Sequence, residues 1–119
     1  MEIKQEDIRR YVPEWDGNRD RDEGGQIVLH LAPMTGGEIR AVHRAAIKSD
    51  GKVDLNKAQA SIERIIKARV VKAEQCLDIL DREISDGAEL WERAEQALID
   101  EAYAAITEIS TLRAGLKKA

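Results

Sequence analysis

The chain contains no phenylalanine, and two Trp and two Tyr make aromatics only 3% of its 119 residues. Ala, Ile, Leu and Val supply the apolar content instead, and Ala and Leu favour helices. A core of such small side chains is thin unless helices approach closely or partner chains add to it, which points toward an oligomer. Cys76 is the single cysteine, so no internal disulfide can form and a reducing compartment is expected. Proline occurs only twice, which leaves room for uninterrupted helices. No apolar run approaches the roughly 18 residues that suggest a membrane span. The opening, MEIKQEDIRR, lacks the apolar stretch of a secretory signal. The expected location is the cytoplasm. An excess of positive charge is also missing: the net is −4 and the isoelectric point is near 5.3. Bulk attraction to nucleic acid or to an anionic membrane is therefore not expected.

What remains is 43% apolar and 35% charged, the make-up of a single globular domain of helices with solvated faces. The expected fold is mainly α, a small bundle of three main helices with a short N-terminal strand and loop region. Residues 1–35 form that region and residues 36–119 the helical one. Glu6 to Val12 reads as one helical turn stopped by Pro13, and Asp16 to Gly25 as a polar loop. Gln26 to Ala32 reads as the single convincing strand. Thr35-Gly36-Gly37-Glu38 has the spacing of a capping box, in which hydroxyl and carboxylate each take a free backbone N–H at a helix start. Ile39, Val42, Ala46 and Ile47 then form a helical stripe, closed by a Ser49-Asp50-Gly51 turn.

A second helix is expected from Asp54–Asn56 onward, with the seam Ile62, Ile66, Val70, Ala73, Leu77, Leu80, Ile84. Val70-Val71 is a β-branched pair that could open a strand. The seam crosses it without a phase break, so helix is the prediction. Ser85-Asp86-Gly87 makes a turn, and Asp86 with Glu89 repeats the cap-plus-acid signal. The third helix shows the cleanest periodicity: Trp91, Ala94, Leu98, Ala102, Ala105, Ile109, Leu112, Leu116.

Charge is partitioned along the chain. Lys52 to Lys72 holds six basic residues against two acidic, whereas Glu74 to Glu108 holds eleven acidic against two basic. Two such helices can neutralise each other within a chain. They can also join neighbouring chains head to tail, and Arg64, Lys67, Arg69, Lys72, Glu92 and Glu95 are the candidates for that contact. The basic helix lacks the interleaved aromatics of a nucleic-acid footprint.

Catalytic and metal-binding patterns fail on inspection. Asp16-x-Asn18-x-Asp20 starts like a calcium loop, but Arg21 stands where the sharp turn needs Gly and Ile27 where the bidentate Glu belongs. A polar surface loop is the better reading. His30 and His43 lack metal-ligand spacing, and His30 reads as a half-exposed strand residue. Cys76 has no base partner and reads as a small buried hydrophobe. Gly36-Gly37, before a helix, could seat an anion. No enzyme, cofactor or metal centre is expected.

One stretch carries a resemblance. Tyr11-Val12-Pro13-Glu14-Trp15-Asp16-Gly17-Asn18-Arg19, an acidic spacer and Gln26-Ile27-Val28-Leu29 resemble the opening of tail assembly chaperones of siphovirus-type (long-tailed) phages and prophages, which are lambda G-like in role. Pro33 and Thr35 fit the strand end and Thr-led helix of that family. Ile84-Ser85-Asp86-Gly87-Ala88-Glu89-Leu90-Trp91 is similar to its turn before a terminal helix, which here carries Glu101, Ala105 and Ile106 and ends Ser110-Thr111-Leu112 then Gly115-Leu116-Lys117. The resemblance spans residues 11–35 and 84–118. It implies binding to the tape measure protein and recruitment of tail tube subunits during virion morphogenesis, in the host cytoplasm and absent from the mature virion. Tyr11, Trp15 and Trp91, large rings in a chain poor in them, are the partner-contact candidates. Two other classes fit the composition: a small helical regulator or inhibitor of one protein target, such as an antitoxin, and a nucleic-acid-binding helical protein using Lys52 to Lys72.

Overall fold

The computed structural model describes residues 7–46, 51 and 55–118. Strand β2 (Val28–Leu31) lies at the centre of a three-stranded antiparallel sheet, between β1 (Arg9–Tyr11) and β3 (Val70–Glu74). β4 (Cys76–Leu77) and β5 (Glu83–Ile84) form a separate antiparallel hairpin. The α-helices are α1 (Gly36–Ala46), α2 (Leu55–Arg69), α3 (Gly87–Arg93) and α4 (Gln96–Lys118). The fold is therefore mixed α/β, and the expected three-helix bundle is wrong.

The reason begins with β2. A strand has two hydrogen-bonding edges, and burying this one requires both to be paired. Tyr11 stands opposite Leu29 and Arg9 opposite Leu31, so residues 9–11 are strand, where a helical turn was expected. The other edge takes Val70–Glu74, which turns the second half of the expected second helix into β3. The helical spacing there has a specific origin. Leu31 pairs with Val70 and His30 with Lys72, so Val71 is an extra residue in the ladder, a bulge that puts both Val70 and Ala73 inward. Gln75, at φ 56 between β3 and β4, kinks the strand again and turns Cys76 inward. The step of three from Val70 to Ala73 thus comes from the bulge, and the second irregularity buries Cys76 in place of Leu77, the next residue of the expected seam.

The third expected helix is two. Ala94 is extended (ψ 157) and ends α3, and Glu95 O accepts the N–H groups of Leu98 and Ile99 at the start of α4. Across that break the apolar face holds: Leu98, Ala102, Ala105 and Ile106 are buried, and Trp91, Ala94 and Ile109 pack against them. Leu112 and Leu116 have side chains outside the described ones. Gly87 seats α3 on α2. A Cβ there would stand 2.2 Å from Ile66 O and 2.9 Å from Val70 O, so only glycine admits this approach.

Both capping signals form. Glu38 N donates to Thr35 Oγ1 (3.1 Å) and Thr35 N to Glu38 Oε1 (2.9 Å). Glu89 N donates to Asp86 Oδ1 (3.0 Å) and Ser85 N to Glu89 Oε1 (2.9 Å). The Glu38 carboxylate takes the Thr35 N–H and the Arg69 guanidinium at the α1 start. Gly51 is left-handed (φ 84), while Ile47, Ser49 and Asp50 lie outside the described residues. The core joins both regions of the chain: Ile27, Leu29 and Leu31 of the sheet meet Ile65 and Ile66 of α2 and Leu98 and Ile106 of α4.

Candidate protein-binding site

The hairpin of β4 and β5 presents apolar side chains to solvent. Cys76 and Ile84 pair on its inner side and are fully buried, and Leu77 pairs with Glu83 on its outer side. Ile79 is 91% exposed, Leu80 67% and Leu77 54%. Transfer of such side chains from water is favourable, so an exposed group of three is a candidate docking surface. Leu77 and Leu80 were expected on a buried helical seam, and the hairpin turns them outward.

The tip is held from beneath by Asp78, whose side chain is only 1% exposed. Its Oδ1 accepts the N–H groups of Leu80 (2.8 Å) and Arg82 (3.0 Å), and its Oδ2 accepts from Arg82 Nε (2.9 Å) and Arg93 Nη1 (3.2 Å). Arg82 O accepts from Asp78 N at 2.9 Å, and Asp81 takes a left-handed φ of 60. The Arg82 N–H, then the Leu80 N–H and the Arg82 guanidinium, outweigh burial and hold the Asp78 carboxyl below the usual carboxylate range. Arg93 also reaches Glu83 O (3.0 Å) and Glu89, which ties the hairpin to α3. A turn pinned by this many bonds displays Ile79 and Leu80 in one geometry.

Tyr11 and Trp15, the expected partner contacts, instead meet α4. Tyr11 OH donates to Glu101 Oε2 at 2.6 Å, Glu14 N to the same oxygen at 2.7 Å and Trp15 N to Oε1 at 3.0 Å. Burial first, then the Glu101 hydrogen bond, pushes the Tyr11 phenol up to about 12. Both rings are half-buried against the core, as is Trp91. Asn18, in the 3₁₀ turn Trp15–Asp20, is fully buried. Its Nδ2 donates to Pro13 O (2.9 Å) and Ile27 O (3.1 Å), and its Oδ1 accepts from Ile27 N (2.7 Å). Asn18 is thus a buried tie in what was read as a plain polar loop. Asp16, beside it, pairs with Arg21.

The six charged candidates divide. Arg69 is bound to Glu38, Lys72 stands 3.7 Å from Glu74, and Lys67 is 2.7 Å from Glu63 with Glu92 adding attraction from α3. Burial opposes the charge on Glu38, but the Thr35 N–H and the Arg69 guanidinium keep its carboxyl below the usual range. Arg64 and Glu95 are exposed and have no ion pair among the described residues. The basic and acidic segments therefore neutralise each other only in part within the chain.

Burial pushes the Cys76 thiol up to about 11, so it is not a thiolate at neutral pH. It sits in β4 and not on a helix. His30 is half-buried and 2.8 Å from Glu74 Oε2; the His43 side chain lies outside the described ones. Among the described residues no three His, Cys, Asp or Glu gather as metal ligands, and no helix is long and apolar enough to cross a membrane. No protein-family model, curated protein or solved structure matches the chain.

Proposed function

We propose that this chain is a tail assembly chaperone of a long-tailed phage. It binds the tape measure protein in the host cytoplasm, keeps it soluble, recruits tail tube subunits and is absent from the finished virion. The observation that carries the reading is the hairpin tip: apolar side chains displayed on a mount rigid enough to dock a protein chain. A client that is long, helical and partly apolar needs many copies of a small binder, and a rigid apolar contact of this kind is what such copies can assemble through as they coat it. Further support comes from the two stretches that bear the resemblance, which touch each other. Glu101 holds residues 11–15, and Ser110 Oγ accepts Met34 N at 2.8 Å. Motif residues without catalytic chemistry are then the ties of one fold.

The test is co-expression with the tape measure protein of the same phage. Wild type should keep that protein soluble and co-purify with it, and Ile79→Asp should lower the soluble fraction. Ile79→Asp is a better probe than Trp15→Ala, because Trp15 also packs against the core. A tape measure protein that is soluble alone, or insoluble with wild type, would overturn the proposal.

A further inference from the structure

We infer that the hairpin tip docks on the exposed face of α2 in a second copy of this chain, so that copies join head to tail. The inference rests on the reading of the tip as a protein-docking element. Charge decides the occupant. From Glu74 to Glu95 the chain holds eight acidic residues and two basic ones. Both of those, Arg82 and Arg93, are bonded to Asp78. Asp81 and Glu83 flank the tip and are exposed, so its partner must offer cations around a surface apolar side chains can cover.

The outer face of α2 has that chemistry. Lys57, Ala60, Arg64 and Ala68 follow one another at helical spacing, all exposed. Two alanines let Ile79 and Leu80 approach the helix, and the aliphatic stems of the flanking cations add apolar cover. Lys57 and Arg64 then face Asp81 and Glu83. Another apolar recess is a cavity of about 180 Å³ lined by Met34, Ile39, Val42 and Tyr103, between α1 and α4. It has room for a branched aliphatic side chain, since a void of about 150 Å³ holds benzene. Its α4 wall is flanked by Asp100 and Glu108 and its α1 wall by Arg40 and Arg44, so its rim is of mixed sign and attracts Asp81 and Glu83 less than the cations of the α2 face do.

Within one chain Ile79 stands in solvent and Arg64 has no ion pair among the described residues. Each copy thus has one tip and one receiving face, a heterologous contact that extends into a row of copies unless the rotation closes a ring. A row suits a long client, because each copy added to its neighbour meets the client at high effective concentration.

Sedimentation velocity of the purified chain tests this. Wild type should associate with rising concentration, more weakly at high salt. Ile79→Asp and Arg64→Glu should each raise the dissociation constant by roughly tenfold or more. Mixed together they should form a dimer and nothing larger, because one retains an intact receiving face and the other an intact tip. Arg64→Glu combined with Glu83→Arg should restore association. A wild-type monomer at millimolar concentration, a mixture that stays monomeric, or loss of association on Val42→Asp but not on Arg64→Glu would overturn the inference. Solubility of the tape measure protein is read separately. A monomeric wild type that still solubilises it removes this contact and leaves the chaperone reading intact, and a row of copies that fails to solubilise it does the reverse.

Discussion

Replacing Gly87 by Ala adds one carbon and should cost more than most core truncations of that size. The new Cβ would lie 2.2 Å from Ile66 O, 2.9 Å from Val70 O and 3.1 Å from Ile66 C. A carbon normally stands about 3.3 Å or more from a carbonyl oxygen, so α3 must back off α2 by roughly 1 Å. Every atom met is backbone, at the junction of α2 with β3, and none can rotate aside. Overpacking of this kind costs about 1–3 kcal/mol and sometimes more. Alanine's helix advantage over glycine, about 0.5–1 kcal/mol in a helix interior, is smaller at a first helical position. A net loss of about 2 kcal/mol should lower Tm by roughly 6–12 °C for a domain of this size. Circular dichroism melts of Gly87→Ala beside Gly24→Ala measure it, since a Cβ at Gly24 meets nothing within 4 Å. Equal melting temperatures for the two variants would refute the argument that α3 and α2 are in backbone contact.

Leu98→Ala, at a site 2% exposed, should cost about 2–5 kcal/mol, whereas Glu95→Ala and Glu108→Ala should move Tm little; a Leu98→Ala melt equal to wild type would place that face outside the core. Acid stability should depend on Asp78. Its carboxyl is held low in the folded chain, so its contribution is present above the unfolded value of about 3.9 and lost as pH falls through the folded value. Asp78→Asn should lower Tm at neutral pH and flatten the acid decline, and an unchanged acid limb would contradict this. Ultraviolet titration of the two tyrosines should show Tyr11 ionising near the top of the accessible range, about 12. Glu101→Gln should bring that midpoint down without restoring it fully, because burial is the larger cause; no movement would mean the Glu101 bond does not form.

Local signals were legible where the chemistry is local. Thr35 with Glu38 and Asp86 with Glu89 mark helix starts because each pair satisfies backbone N–H groups within three residues. The β2 strand was legible from its β-branched and apolar run. What escaped was decided at long range. Val70–Glu74 is a strand because β2 has an open edge, and two irregularities disguise its period as helical. Ala94-Glu95 has no Gly or Pro to announce a break, which coincides with the point where Arg93 turns to the hairpin. Leu77 and Leu80 matched a seam by spacing alone, so the exposed tip was read as core. Asn18 and Glu101 look like surface residues in the sequence. Their roles depend on partners such as Pro13 O, Ile27 N and the Tyr11 hydroxyl, and the sequence touched Asn18 only within the rejected calcium-loop pattern and the stretch that bears the resemblance.

The Glu101 clamp also dictates when the chain can fold. Its hydroxyl partner lies 90 residues upstream, and the Ser110 bond to Met34 spans 76. β2 must wait for β3, whose Glu74 is 44 residues beyond His30. A ribosome therefore releases the N-terminal strands long before anything can complete them, and loop closure over such distances makes their pairing slow. During that interval Val28, Leu29 and Leu31 are an open, apolar strand exposed to other chains. Only emergence of α4 ends the exposure. Shortened chains that stop before Glu101 should consequently behave as unfolded and sticky polymers rather than as smaller versions of the protein.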